Sequence, residues 1–129
     1  MTLLMTTLLL IEDDPECARM VGKLLKPPGF TIEHTPRGLT GLQLARKLEV
    51  DLILVDIDLP DISGNVVILQ LRSVMLHRRV PIIAFTAETS SKAKRIAAAL
   101  GADGFICKPI DTQTFSSQIG EFLKLSVPH

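Results

Sequence analysis

Five short apolar runs, separated by longer segments of a different periodicity, constrain the fold of this chain more than any other feature. Each run is three or four residues long and most are rich in branched side chains: Leu8–Ile11, Phe30–Ile32, Leu52–Val55, Ile82–Phe85 and Phe105–Cys107. Runs of this kind are typical of β-strands that a sheet buries on both faces. We therefore predict five buried strands, and we expect the thiol of Cys107 to be buried with the last one.

The segments between the runs carry apolar residues at steps of three and four, which indicates one face of an α-helix. Asp14 before Pro15 predicts a helix N-cap followed by a first-turn proline, and Thr35 before Pro36 repeats the pattern. Gly101 is typical of a helix C-terminus. In the helix before it we expect Ile96, Ala99 and Leu100 to face the core and Lys92, Lys94 and Arg95 to face solvent.

Strand and helix thus alternate five times, which predicts a doubly wound α/β fold: a five-stranded parallel sheet flanked by five helices. A length of 129 residues is that of one domain, and the sequence contains no internal linker. We expect a single domain over residues 1–129 with its core at about 8–125.

Composition excludes several classes of function. Lys and Arg number 14 and Asp and Glu also number 14, so the basic surplus of a nucleic-acid-binding protein is missing, and we expect no direct nucleic-acid partner. Two cysteines are too few for a disulfide scaffold or a thiolate zinc site. No apolar run approaches the ~20 residues of a membrane span, and no secretory leader is recognisable. We expect a cytoplasmic protein without a membrane partner.

Acidic side chains concentrate after the first and third runs, where 6 of the 14 fall within residues 12–14 and 56–61. In an open parallel sheet, ligands bind beyond the carboxyl ends of the strands. Carboxylates that converge there repel one another, and a hard divalent cation such as Mg²⁺ offsets this while leaving positions for phosphoryl oxygens. Asp56 at a strand end is a candidate nucleophile, with the Thr86 hydroxyl and the Lys108 ammonium after the fourth and fifth runs.

Four segments in this order resemble the receiver domain of two-component response regulators, over about Leu8 to Leu125: Leu10–Asp14, Asp56–Gly64, Phe85–Ala87 and Phe105–Pro109. The resemblance implies the flavodoxin-like receiver fold with strand order 2-1-3-4-5. It also implies phosphorelay signalling, in which a histidine kinase or a histidine phosphotransfer protein donates a phosphoryl group. Such a domain is a phosphoacceptor with self-catalysed phosphorylation and dephosphorylation.

The resemblance also implies residue roles. Asp56 would be the phosphoacceptor. Mg²⁺, or Mn²⁺, would be held by Asp13, Asp56 and the backbone carbonyl of Asp58, with Glu12 as an acidic companion. Lys108 would contact the phosphoryl group and would be followed by a cis peptide bond.

Thr86 and Phe105 would form the switch that remodels the face of the fourth helix, fifth strand and fifth helix. A downstream protein would bind that face, and a second copy of the chain is a further candidate partner. Because Phe105 carries no hydroxyl, this switch would act through packing.

Three other functions are alternatives to this one. A small phosphatase-like enzyme could use the Asp56/Asp58 pair, but haloacid-dehalogenase-type phosphatases carry that pair after the first strand. A flavodoxin-like electron carrier needs a hydroxyl- and glycine-rich phosphate loop, whereas here the first loop is Glu12–Pro15. The third is an interaction module that is never phosphorylated. We expect other polar residues to have structural roles only: Asp14 as a helix cap, Asp61 in a turn and His34 at the surface.

Overall fold

The computed structural model describes residues 6–75 and 79–126, along which five strands alternate with five helices. The strands are β1 (Thr6–Ile11), β2 (Phe30–Thr35), β3 (Leu52–Asp56), β4 (Ile82–Thr86) and β5 (Gly104–Cys107). The helices are α1 (Pro15–Leu25), α2 (Gly38–Lys47), α3 (Gly64–Val74), α4 (Ser91–Leu100) and α5 (Phe115–Leu123), with a 3₁₀ turn at Lys124–Ser126. The predicted alternation is confirmed, while the two ends of the expected 1–129 domain lie outside the described residues.

The sheet is parallel, with the order β2-β1-β3-β4-β5 that the family resemblance implied. Ile11 pairs with Val55, and Asp56 pairs with Phe85. The carboxyl ends of the three central strands therefore lie side by side at one edge of the molecule, which is where the acidic segments begin.

Side-chain alternation along the central strands divides the core into two layers. Leu9 and Ile53 point toward α2, α3 and α4, and Leu10 and Leu54 point toward α1 and α5. All five residues of β3 and of β4 are buried. The prediction of strands buried on both faces is therefore correct for the centre of the sheet.

The two edge strands depart from that prediction. β2 is mostly half-buried, and Cys107 at the end of β5 is exposed, so the expectation of a buried thiol is wrong. An edge strand has a neighbour on one side only, and the helices cover the middle of the sheet more fully than its margins. Composition alone does not distinguish such a strand from a central one.

Helix α4 is rotated relative to its predicted orientation. Ala97 is its buried residue, and the half-buried Leu100 packs on the core as predicted, whereas Ile96 is 41% exposed and Ala99 is also exposed. Residues 96–100 of this helix are all apolar and occupy every side of it. The periodicity therefore does not determine which of them pack on the sheet. Lys92, Lys94 and Arg95 are exposed as predicted.

The starts of the first two helices differ in how they are capped. The Glu16 N–H donates to Asp14 Oδ1 (3.0 Å), which confirms Asp14 as the α1 N-cap. The expected cap at Thr35 is wrong, because α2 begins at Gly38 with Arg37 in the N-cap position. None of the described helices has the length and apolarity that a membrane crossing requires.

Candidate functional site

Three carboxylates meet beyond the carboxyl ends of β1 and β3. Oxygens of Glu12, Asp13 and Asp56 all lie within 4.8 Å of one another. Because β1 and β3 pair in register, the residues that follow Ile11 and Val55 emerge next to each other. The structure thus brings together the three acids that sequence reasoning assigned to a metal site.

The pKa values of the two acids deepest in the site are shifted in opposite directions. Glu12 is fully buried and Asp56 is 3% exposed, whereas Asp13 is exposed. Burial, together with the hydrogen bond to Glu12, raises the pKa of Asp56 to about 8. Burial would also raise the pKa of Glu12, but its contacts with the Asp56 carboxyl and the Lys108 ammonium hold it below its usual value. Asp56 therefore carries the proton and Glu12 the negative charge.

Lys108 supplies the positive charge of the site. Its Nζ lies 2.6 Å from Glu12 Oε1, 3.5 Å from Asp56 Oδ1 and 4.8 Å from the centroid of the Phe85 ring. Burial alone would lower the pKa of Lys108, but the two carboxylates raise it above its usual value. The Lys108 N–H donates to the Thr86 carbonyl (2.8 Å), and the Lys108–Pro109 peptide is cis as expected.

These side chains fit a divalent cation. Glu12 Oε1 is buried, and no hydrogen-bond donor among the described residues is aligned with it, although the Lys108 ammonium is close. Asp13 opens the cluster to solvent, so a bound ion would keep some of its water, as Mg²⁺ prefers. Carboxylate oxygens are also the hard ligands that this ion selects.

The loop after β3 holds Asp56 in place. The N–H of Asp58 donates to Asp56 Oδ1 (3.0 Å), while the Asp58 side chain is exposed. Gly64 begins α3 directly against this loop, and its N–H donates to the Ile57 carbonyl (2.8 Å). A Cβ at position 64 would overlap the Asp56 carbonyl oxygen and Ile57 Cα, so only glycine allows this approach.

Thr86 and Phe105 lie on the same face of the sheet. Thr86 is buried, and its hydroxyl accepts a hydrogen bond from the Glu88 N–H (3.0 Å). Phe105 pairs with Ala84, two residues before Thr86, and its half-buried ring packs on the α4 side. Lys94 of α4 places its ammonium 5.6 Å from the centre of that ring.

Asp61 has a role that sequence reasoning missed. Its carboxylate accepts hydrogen bonds from the Gly38 and Leu39 N–H groups at 2.9 Å each, so it caps α2 from the loop after β3. These bonds hold the pKa of Asp61 below its usual value. The partners lie 22 and 23 residues away along the chain, and no local pattern marks such a cap.

Two residues at the margin of the site complete its surroundings. Burial and the neighbouring Glu12 raise the pKa of the Cys17 thiol to about 12, so the acidic surroundings disfavour its thiolate. His34, expected only to be a surface residue, is exposed, but its Nε2 lies 2.7 Å from the Glu12 carbonyl oxygen. It therefore also supports the acidic loop.

Comparison with known sequences gives one consistent result. The family model of the response regulator receiver domain matches residues 8–119. The cell cycle transcriptional regulator CtrA of Caulobacter vibrioides is 34% identical over 121 residues, which cover 94% of this chain and 52% of that protein. The chain thus spans about half the length of this curated relative.

Solved structures agree in fold. The chemotaxis protein CheY4 of Vibrio cholerae superposes with a TM-score of 0.86 at 27% identity, covering 92% of this chain and 99% of that one. The receiver domain of the sensor histidine kinase PA1611 of Pseudomonas aeruginosa gives a TM-score of 0.84 at 24% identity, covering 94% and 99%. That domain was solved with a magnesium ion coordinated in its active-site cleft.

Proposed function

Because the chain belongs to the response regulator receiver family, we propose that it takes up a phosphoryl group on Asp56 and thereby switches a partner-binding face. The observation that carries this proposal is the cluster of Glu12, Asp13 and Asp56 with Lys108 within ion-pair distance. Homology to response regulators implies that its partners belong to the histidine kinase class. The expected phosphodonors are a histidine kinase or a histidine phosphotransfer protein.

In the proposed transfer, a carboxylate oxygen of Asp56 attacks the phosphorus of a phosphohistidine. The new O–P bond forms as the N–P bond breaks, and the imidazole leaves. Asp56 must first give up the proton that it holds in the metal-free protein. Asp13, Asp56 and the Asp58 carbonyl would hold Mg²⁺ with Glu12 nearby, and the ion would neutralise charge on the phosphoryl oxygens. The Lys108 ammonium lies beside Glu12 and Asp56 and would supply a second positive charge to the phosphoryl group.

The proposed switch starts at Thr86. Its hydroxyl now accepts from the Glu88 N–H, and turning toward a phosphoryl oxygen would exchange that bond for one to the phosphate. Phe105 lies on the same face, so its ring would repack as Thr86 moves. The nearby face of α4, β5 and α5 exposes Ile96 and Cys107, and we assign to it the downstream protein or a second copy of the chain.

A groove of about 410 Å³ beside the site suits the phosphodonor. Apolar side chains of Met20 and Ile110 line it together with Cys17 and Pro109, and Lys108 also belongs to its lining. A helix bearing the phosphohistidine would bury apolar surface there while its imidazole reaches toward Asp56. This groove is therefore the proposed docking site of the donor.

The test is phosphorylation with a small phosphodonor, such as phosphoramidate, and Mg²⁺, followed by intact mass measurement. The wild type and the control Asp58→Asn should gain one phosphoryl group, and Asp56→Asn should gain none while keeping the wild-type circular dichroism spectrum. Labelling of Asp56→Asn would place the phosphoacceptor elsewhere. No mass gain in any form would favour the unphosphorylated interaction module, and steady turnover of a small phosphate ester would favour the phosphatase.

A further inference from the structure

A second groove, of about 620 Å³, lies between α1 and the edge strand β2, on the other side of α1 from the donor groove. Its floor is formed by small or apolar residues, namely Ala18, Gly22 and Ile32. Its volume is within the range of ligand-binding clefts. No part of the proposed phosphoryl transfer uses it.

The rim of this groove is basic. Arg19 and Lys23 belong to α1, Lys26 is its C-cap residue, and His34 lies on β2. None of the residues that line the groove carries a carboxylate. Glu33 belongs to the opposite face of the sheet, because side chains alternate along β2 and Ile32 packs on the α1 side.

The two lysines are available to a ligand. Arg19 contacts Glu16 on its own helix, with both side chains largely exposed. Lys23 and Lys26 form no ion pair with any residue in 6–75 or 79–126. Both lysines lie near the carboxyl end of α1, where a positive charge interacts favourably with the helix dipole. This interaction alone does not explain why His34 also lines the groove or why the floor below the lysines is open.

The third feature of the groove is the free backbone edge of β2. β2 lies at the edge of the sheet and pairs with β1 alone among the described strands. Such an edge accepts an additional strand through main-chain hydrogen bonds. The lining extends along α1 from Pro15 to Lys26, or about 16 Å at the rise of an α-helix. That length corresponds to roughly five residues of extended chain.

We propose that this groove binds an acidic, extended peptide segment of a partner protein, added as a strand along β2. Alternate side chains of that segment would point toward α1, where carboxylates meet Arg19, Lys23 and Lys26. These side chains would lie over Ala18, Gly22 and Ile32, and the residues between them would point to the opposite face of the sheet. The basic rim selects an anionic ligand, and the open strand edge selects a polypeptide among anionic ligands.

The test uses a fluorescein-labelled synthetic peptide of alternating Glu and Val, with a Lys and Val peptide as its charge-reversed control. Fluorescence anisotropy should show that the acidic peptide alone binds, and amide hydrogen exchange should slow along β2. Reversing both free charges, Lys23→Glu with Lys26→Glu, should weaken binding about tenfold or more. The matched control, Lys47→Glu with Lys92→Glu, makes the same change in net charge at exposed positions outside the groove.

A second variant fills the groove without changing its charge. Gly22→Leu is expected to fold, because a Cβ there meets only the flexible end of Lys26 and leucine favours a helix more than glycine does. This variant should weaken binding of the acidic peptide by a similar factor and leave phosphorylation of Asp56 unchanged. The proposal is overturned if the acidic peptide does not bind, or if all variants bind it equally. Tighter binding of anionic vesicles or duplex DNA to the same lysines would also overturn it.

Discussion

Glu12 and Asp56 are the buried acids of the described chain, and their proximity decides the electrostatics of the site. Two adjacent carboxyls in a poorly solvated pocket cannot both be ionised without cost, so one retains its proton. The Lys108 ammonium stabilises the charge on Glu12, which leaves the proton on Asp56. A pKa of about 8 keeps Asp56, the proposed phosphoacceptor, mostly protonated in the metal-free protein at neutral pH.

From this we predict that Asp56→Asn stabilises the metal-free protein, because the amide can still donate to Glu12 and has no charge to bury. Between pH 4 and 8 folded Asp56 keeps a proton that the unfolded chain releases, since its pKa rises from 3.8 to about 8. Wild-type stability therefore falls as pH rises through this window. Urea unfolding in a chelator should show a gain of about 2–4 kcal/mol at pH 8 and little gain at pH 4.

The control for this measurement is Asp58→Asn, which removes an exposed carboxyl from the same loop. Its effect on unfolding should be small at both pH values. A gain for Asp56→Asn that is equal at pH 4 and pH 8 would contradict the raised pKa of Asp56.

At the scale of elements, two polar residues fasten segments that are distant in sequence. Arg72 of α3 donates to the Gly101 carbonyl (2.8 Å) and pairs with Asp103 (2.6 Å), which also accepts from the Ile82 N–H. These contacts join α3 to the segments before β4 and β5. They lie at the amino-terminal ends of the strands, whereas Asp56 lies at the carboxyl end of β3. Asp61 joins the loop after β3 to the start of α2.

Arg72→Ala should lower the free energy of unfolding by about 2–3 kcal/mol, because it leaves the partly buried Asp103 without its cation. Phosphoryl uptake by the folded variant should equal that of the wild type. Chemical denaturation measures the first effect and intact mass the second. Lys124→Ala breaks an exposed pair with Glu121 and serves as the control, with an expected change below about 0.5 kcal/mol.

Asp61→Ala should destabilise the protein by about 1 kcal/mol through loss of the α2 cap. Asp61→Asn retains an acceptor oxygen and should recover part of that loss. The low pKa of Asp61 means that its contribution is present above the unfolded pKa and is lost as pH falls. Equal stability of the alanine variant and the wild type at pH 7 would contradict the capping role.

At the scale of the whole molecule, the net charge of zero conceals a separation of charges. Acids gather at the carboxyl edge of the sheet, while α1 carries a basic rim toward β2. The acidic edge attracts a divalent cation, and in the further proposal the basic rim attracts an acidic peptide. Each site thus selects a ligand of opposite charge.

Binding of Mg²⁺ should release a proton, because the ion favours the ionised form of Asp56. Its apparent affinity should therefore rise with pH up to about 8. Calorimetry in two buffers of different ionisation enthalpy measures the proton released. Asp56→Asn should abolish that release, and an unchanged release in this variant would assign the proton to another group.

The alternation of strands and helices and the identity of the chemical groups at the strand ends could be predicted from the sequence. Those properties depend on local periodicity, on capping as at Asp14 and on which residues follow each apolar run. Family resemblance supplied the strand order, which places Glu12 and Asp13 beside Asp56.

The exposure of Cys107, the buried stripe of α4 and the cap that Asp61 gives to α2 depend on the three-dimensional packing of the chain. The same holds for the proton on Asp56, which depends on how closely Glu12 and Lys108 approach it. Each of these depends on neighbours far away in the chain, and burial and pairing at that range follow from packing.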